Sequence, residues 1–130
     1  MSSRTFADVS EGVRATIARY TLALDDGRTD DVIATFAADG SFELEGKPPA
    51  AGIEALRTMY ERWVPRVPQR HLVSNTLVDT WSDTEATAIS DVVLLVKIDE
   101  AWSVQFVARY HDRLVADGDT WKFASRKVLA

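Results

Sequence analysis

The chain has no cysteine. Neither a disulfide framework nor a thiolate metal site is open to it, and a reducing compartment is permitted. No eighteen apolar residues run together, which excludes a helical membrane span. Positive charge is in deficit: 15 basic residues stand against 20 acidic ones, for a net charge of −5, and the basic residues are scattered. A phosphate-backbone partner needs a clustered positive surface, so no nucleic acid is expected. The 6 glycines are too few and wrongly spaced for a phosphate loop or a dinucleotide fingerprint. The only two histidines, His71 and His111, are too far apart for a recognised metal spacing. No serine nucleophile elbow is present. Neither a metal nor a cofactor is expected. The opening string MSSRTFADVSEG lacks the apolar stretch of a signal peptide, and the expected location is cytoplasmic.

What remains is the composition of a globular protein, 46% hydrophobic and 27% charged over 130 residues, which fits a single domain over 1–130 with a real core. Val9, Val13, Ile17, Tyr20 and Leu24 recur at intervals of three and four and predict one amphipathic helix. Thr5 with Asp8 reads as a capping box that starts it near Phe6, and Gly27 ends it at Asp25 or Asp26. Thr29 is a good N-cap, with Asp30 and Asp31 favouring the positive end of a second short helix through Phe36. Asp39-Gly40 marks a turn before a strand at 41–45. A third helix runs from about Gly52 to Trp63 and is stopped by Pro65 and Pro68.

From there on the pattern is β. The segments 70–81, 85–98, 101–115 and 120–129 are rich in Val, Leu, Thr and aromatics and are joined by short polar connections. Strands segregated from helices predict an α+β fold with helices on one face of an antiparallel sheet. A long helix laid across a bent sheet leaves a cone-shaped apolar cavity, which suits a small hydrophobic ligand.

Four strings in this order and spacing, YTLALDDGRTDDVIATFAADGSFELEG at 20–46, RHLVSN at 70–75, ARYHDRL at 108–114 and WKFASR at 121–126, resemble the SnoaL-like members of the NTF2-like superfamily. The resemblance covers about 13–129. It implies three helices in the N-terminal half packed on a strongly curved, antiparallel or mixed sheet around an apolar pocket. It also implies association through the open sheet face, as a homodimer or homotrimer. The superfamily holds dehydratases, isomerases, cyclases and members without activity, so fold alone does not fix function.

The catalytic pattern most similar is that of the lindane dehydrochlorinase, with an aspartate at the end of helix one and a histidine on the strand after helix three. Asp25 and His71 fall at those positions, and Arg126 matches its anion-stabilising arginine, while Tyr20 stands where it has a lysine. Scytalone dehydratase has a similar pair, but its tyrosine before the aspartate is Leu24 here, and its second histidine has no counterpart near Val96.

The residues themselves support the same pair. A carboxylate at a helix C-terminus opposes the macrodipole at a cost of ~0.3–1 kcal/mol, so Asp25 breaks a local rule; the plain alternative is that Asp25 and Asp26 solvate a turn. His71 shares a strand face with Val73, Asn75 and Leu77, which places Asn75 in the same cavity if that face is buried. The alternative is a core histidine satisfied by backbone. Arg126 shares a face with Lys122, the pattern of an exposed face unless the sheet is bulged there. Tyr20 lies on the apolar stripe with its hydroxyl available to the pocket, and His111 reads as exposed or structural.

The expectation is a cofactor-independent lyase or isomerase acting by acid–base chemistry on a small, hydrophobic, cyclic molecule. The rival is a ligand-binding or oligomerisation domain without activity.

Overall fold

The computed structural model describes residues 3–130. Helix α1 spans Phe6–Asp25 and opens with the expected capping box: the Asp8 backbone N–H donates to Thr5 Oγ1 at 3.1 Å, and the Thr5 N–H donates to Asp8 Oδ2 at 3.0 Å. Its apolar stripe, from Val9 to Leu24, is buried throughout. The closing turn is a Schellman motif, with Gly27 at φ +72°. The Gly27 N–H reaches the Leu24 carbonyl at 3.2 Å, and the Arg28 N–H reaches the Ala23 carbonyl at 2.9 Å. This closure fixes where Asp25 points.

Helix α2 (Thr29–Ile33) differs from expectation at both ends. Arg28 occupies the cap position and Thr29 is already helical, because Arg28 is held by the closure of α1 and the two helices share that connector. Phe36 is the first residue of strand β1 (Phe36–Leu44) rather than the last of a helix. Asp39-Gly40 does not precede the strand but bends it: β1 is displaced against its neighbour between Phe36 and Ser41. A Cβ on Gly40 would lie 2.8 Å from the Phe123 carbonyl oxygen, so only glycine fits there. A two-residue strand, β2 (Ala50–Ala51), escaped the sequence reading. Helix α3 (Ile53–Arg62) lies between Gly52 and Trp63, as expected.

The long strands are β3 (Gln69–Trp81), β4 (Glu85–Ile98), β5 (Ala101–Asp117) and β6 (Thr120–Leu129). They form a meander, to which β1 adds in parallel beside β6, giving the order β2-β1-β6-β5-β4-β3. The sheet is therefore mixed, and it is open, with edges at β2 and β3. The architecture is α+β, as the element order implies.

Helix α1 lies across the inner face. Thr16 Oγ1 donates to the Trp121 carbonyl at 2.6 Å, and Gly12 lets the helix approach the Trp121 ring, where a methyl would fall within 2.8 Å of Nε1. Tyr20 stands at the centre of the core. Its ring packs edge-on against Phe36, Tyr60, Tyr110 and Phe123, at centroid separations of 5.6 to 6.4 Å. The outer face is different. Leu72 of β3 and Trp102, Val104 and Val107 of β5 are all exposed there, on either side of β4.

Candidate active site

Asp25 and His71 meet. The last residue of α1 projects toward the start of β3, where His71 Nδ1 lies 2.6 Å from Asp25 Oδ1. Two further donors converge on the same carboxylate: the His71 backbone N–H at 2.7 Å on Oδ2 and Gln69 Nε2 at 3.1 Å on Oδ1. Both acidic and imidazole side chains are nearly out of solvent, at 6% and 7% exposure. The carboxylate only accepts, so the Nδ1 facing it carries the proton and Nε2 is left with its lone pair. Asp26, by contrast, is exposed and pairs with Arg28.

His71 forms part of the wall of an open-mouthed cavity of about 450 Å³. Leu24, Phe42, Leu94, Val96 and Val128 line it with Tyr20 and Tyr110, and its mouth is set by the segment from Arg62 to Val67. Phe106 lies edge-on to the imidazole at 6.3 Å. Gln105 also turns into the cavity. Leu94 pairs with Phe106 and Leu95 with Val104, so Gln105 is the extra residue of a bulge.

A second bulge corrects the reading of Arg126. Strict alternation puts it outside with Lys122, but Leu114 pairs with Phe123 and Arg113 with Ser125. Ala124 is thus the extra residue, the alternation reverses, and Arg126 is driven inward to 0% exposure. There it grips Asp112 through Nε at 2.7 Å and Nη2 at 2.9 Å. Its guanidinium lies over Tyr110, Phe123 and Tyr20, at 3.6, 4.3 and 4.4 Å from the ring centroids. Burial alone would make this cation easier to deprotonate, and the Asp112 carboxylate more than reverses that, so Arg126 is firmly charged. Its Nη1 is buried without a hydrogen-bond partner. Arg126 does not reach the cavity wall. It underlies the wall, with Tyr20 and Tyr110 between.

Tyr20 reaches both sides of that floor. Its hydroxyl shares a 2.6 Å hydrogen bond with the Tyr60 hydroxyl. Burial raises the pKa of both phenols and of Tyr110, so all three keep their protons.

Asn75 is not in the cavity, contrary to expectation. It sits at φ +54°, in the left-handed region that asparagine tolerates, at a bulge between Ser74 and Leu77. The bulge turns Asn75 and Leu77 outward, and Asn75 Nδ2 donates to Asp91 on the outer face at 2.8 Å. Alternation gave the right face for 71 and 73 and the wrong one beyond. Of the residues not foreseen, Gln69 was accessible, being two places before His71 on the same face. Asp112 was accessible too, alternating with Ala108, Tyr110 and Leu114 on the buried face of β5, whereas Gln105 was not, because a bulge leaves no periodic trace.

The SnoaL-like domain family matches residues 7–127 of this chain. The chain belongs to the SnoaL-like family. None of the curated proteins matches it. Among solved structures it is similar to a protein of unknown function from Mycobacterium tuberculosis, with 26% identity over 92% of this chain and 70% of that one, at a TM-score of 0.85. It is also similar to a protein from Catenulispora acidiphila in complex with S-DNPA, with 27% identity over 94% of each chain and a TM-score of 0.83. An NTF2-like protein with a cystatin-like fold from Novosphingobium aromaticivorans, 20% identical over 92% of this chain and 79% of that one, shares the fold at a TM-score of 0.82. The SnoaL-like chain is thus NTF2-like in architecture.

Removing one partner from a fully buried ion pair leaves the other charge stranded, at about 3–5 kcal/mol. Asp112→Asn should therefore destabilise this SnoaL-like domain by that amount in urea unfolding. The double change Asp112→Leu with Arg126→Met should recover most of the loss. An additive double mutant would contradict this account of the pair.

Proposed function

We propose that this SnoaL-like protein is a cofactor-independent lyase or isomerase acting on a small, apolar, cyclic molecule. His71 is the general base and Asp25 the residue that orients it and stabilises the imidazolium that forms. The observation that carries this reading is the 2.6 Å contact of His71 Nδ1 with a nearly dry carboxylate, on the wall of an apolar cavity.

The chemistry follows from the tautomer. Nε2 takes a proton from a C–H or O–H of the bound molecule, and the ring becomes an imidazolium with a proton on each nitrogen. Asp25, held by Gln69 Nε2 and the His71 backbone N–H as well, stabilises the positive ring without taking its proton. Departure of a leaving group from the resulting anion completes an elimination. Return of the proton to another atom completes an isomerisation. Among related folds, the Catenulispora acidiphila protein bound to S-DNPA supports a ligand in this architecture.

Two substitutions test the assignment. With a substrate found by screening cyclic apolar compounds, Asp25→Asn and His71→Ala should each lower kcat by ~100- to 10,000-fold while the protein stays folded. Turnover that survives both changes would remove the dyad from the mechanism. A ligand bound within a few-fold by Asp25→Asn, and never turned over by the wild type, would instead favour a binding module.

We also propose self-association through the outer face of the sheet. Leu72, Val104, Val107 and Trp102 form an apolar surface there, beside the stretch of β5 that extends past the end of β6 and has a free edge. Sedimentation velocity should give a dimer or trimer that Val104→Lys with Val107→Lys converts to a monomer. A wild-type monomer at tens of micromolar would refute it.

A further inference from the structure

The cavity wall has an unusual charge balance for this chain. Acidic residues outnumber basic ones by 20 to 15, yet no aspartate or glutamate lines the cavity, whereas Arg62 and Arg66 both do. Asp25 lies behind His71 and is already engaged by three donors. Any electrostatic selection by the mouth is therefore for negative charge.

Neither arginine is used elsewhere. Arg28, Arg57, Arg109, Arg113 and Arg126 each pair with a carboxylate. Among the described residues, Arg62 and Arg66 have no carboxylate within 4.0 Å. Arg62, in the last turn of α3, gains from the helix dipole. Arg66 has no such reason to be where it is. It sits in the connection between α3 and β3, flanked by Pro65 and Pro68, which fix the backbone locally.

That connection is tied down at both ends. The Trp63 N–H reaches the Tyr60 carbonyl at 3.0 Å, and the Lys97 N–H reaches the Pro68 carbonyl at 2.9 Å. Two guanidiniums are thus presented by an anchored segment at the open end of an apolar cavity. Guanidinium is the side chain best matched to a planar, two-oxygen anion.

We propose that the ligand of this cavity is an amphipathic acid: an apolar ring body that fills the interior, and a carboxylate or similar oxyanion that docks on Arg62 and Arg66 at the mouth. This rests on the cavity's being the ligand site, and it deepens that reading by setting an orientation. With the anion held outside, the apolar body is directed toward His71 Nε2 and away from solvent. The rim pair is a specificity device, and the dyad a chemical one.

A matched pair of fluorescent probes separates charge from shape. 8-Anilinonaphthalene-1-sulfonate is N-phenyl-1-naphthylamine with an added sulfonate. Titrations of the full chain should show Arg62→Gln with Arg66→Gln weakening the sulfonate about tenfold and leaving the neutral amine unchanged. Added salt should weaken the sulfonate alone. Leu94→Trp, which fills the cavity, should weaken both probes. Equal loss of both probes on arginine replacement, or no loss of the sulfonate, would overturn the proposal. So would sulfonate affinity that survives Leu94→Trp, since the anion would then sit on another surface. Failure of the wild type to take up either probe would remove the cavity as ligand site and this inference with it. In the other failing outcomes Asp25 and His71 are untouched, and the acid–base reading stands.

Discussion

The Asp25 carboxylate holds the site together by accepting three hydrogen bonds at the point where α1 stops and β3 begins. An ionised carboxylate nearly removed from water is costly unless its oxygens are filled by donors. It also faces the negative end of its own helix, which adds to the cost. The sheet offsets both by supplying a backbone N–H, an amide and an imidazole from one short stretch, Gln69 to His71. The same contacts that make the charge tolerable fix the imidazole's tautomer and rotation. Gly27, by closing α1 in the left-handed region, ends the helix where the carboxylate can reach.

The rest of the cavity depends on departures from regular strand geometry. Three bulges each reverse the alternation of a long strand. One brings Arg126 under the floor, one turns Gln105 into the cavity, and one sends Asn75 out of it. This explains what was legible in the sequence. Helix α1, its two caps, α3 and the four long strands follow from periodicity and turn chemistry, and their bounds were close. Asp25 and His71 were legible because each lies at the start or end of an element, before any bulge intervenes. Arg126 and Asn75 lie beyond bulges, so counting by twos gave the wrong face for both. Asp39-Gly40 was read as a boundary because a local bend looks like a turn when its partner strand is unknown.

Beneath the floor lies the buried Arg126–Asp112 ion pair, its guanidinium stacked on the rings of Tyr20 and Tyr110 and its charge balanced by the carboxylate. It does not line the cavity, from which the rings of Tyr20 and Tyr110 separate it. The cavity carries an imidazole on one wall and arginines at its mouth within a largely apolar lining. A fold does not fix an activity, so these features, rather than the architecture, carry the functional reading.

The central claim concerns where one proton sits, and nitrogen-15 NMR of the imidazole answers it without knowledge of the substrate. In the wild type, neutral His71 should show a protonated Nδ1 and an unprotonated Nε2, and Asp25→Asn should invert that pattern as its amide donates to Nδ1. A wild-type His71 that carries its neutral proton on Nε2 would mean that Asp25 does not hold the ring as a base, and would contradict the account.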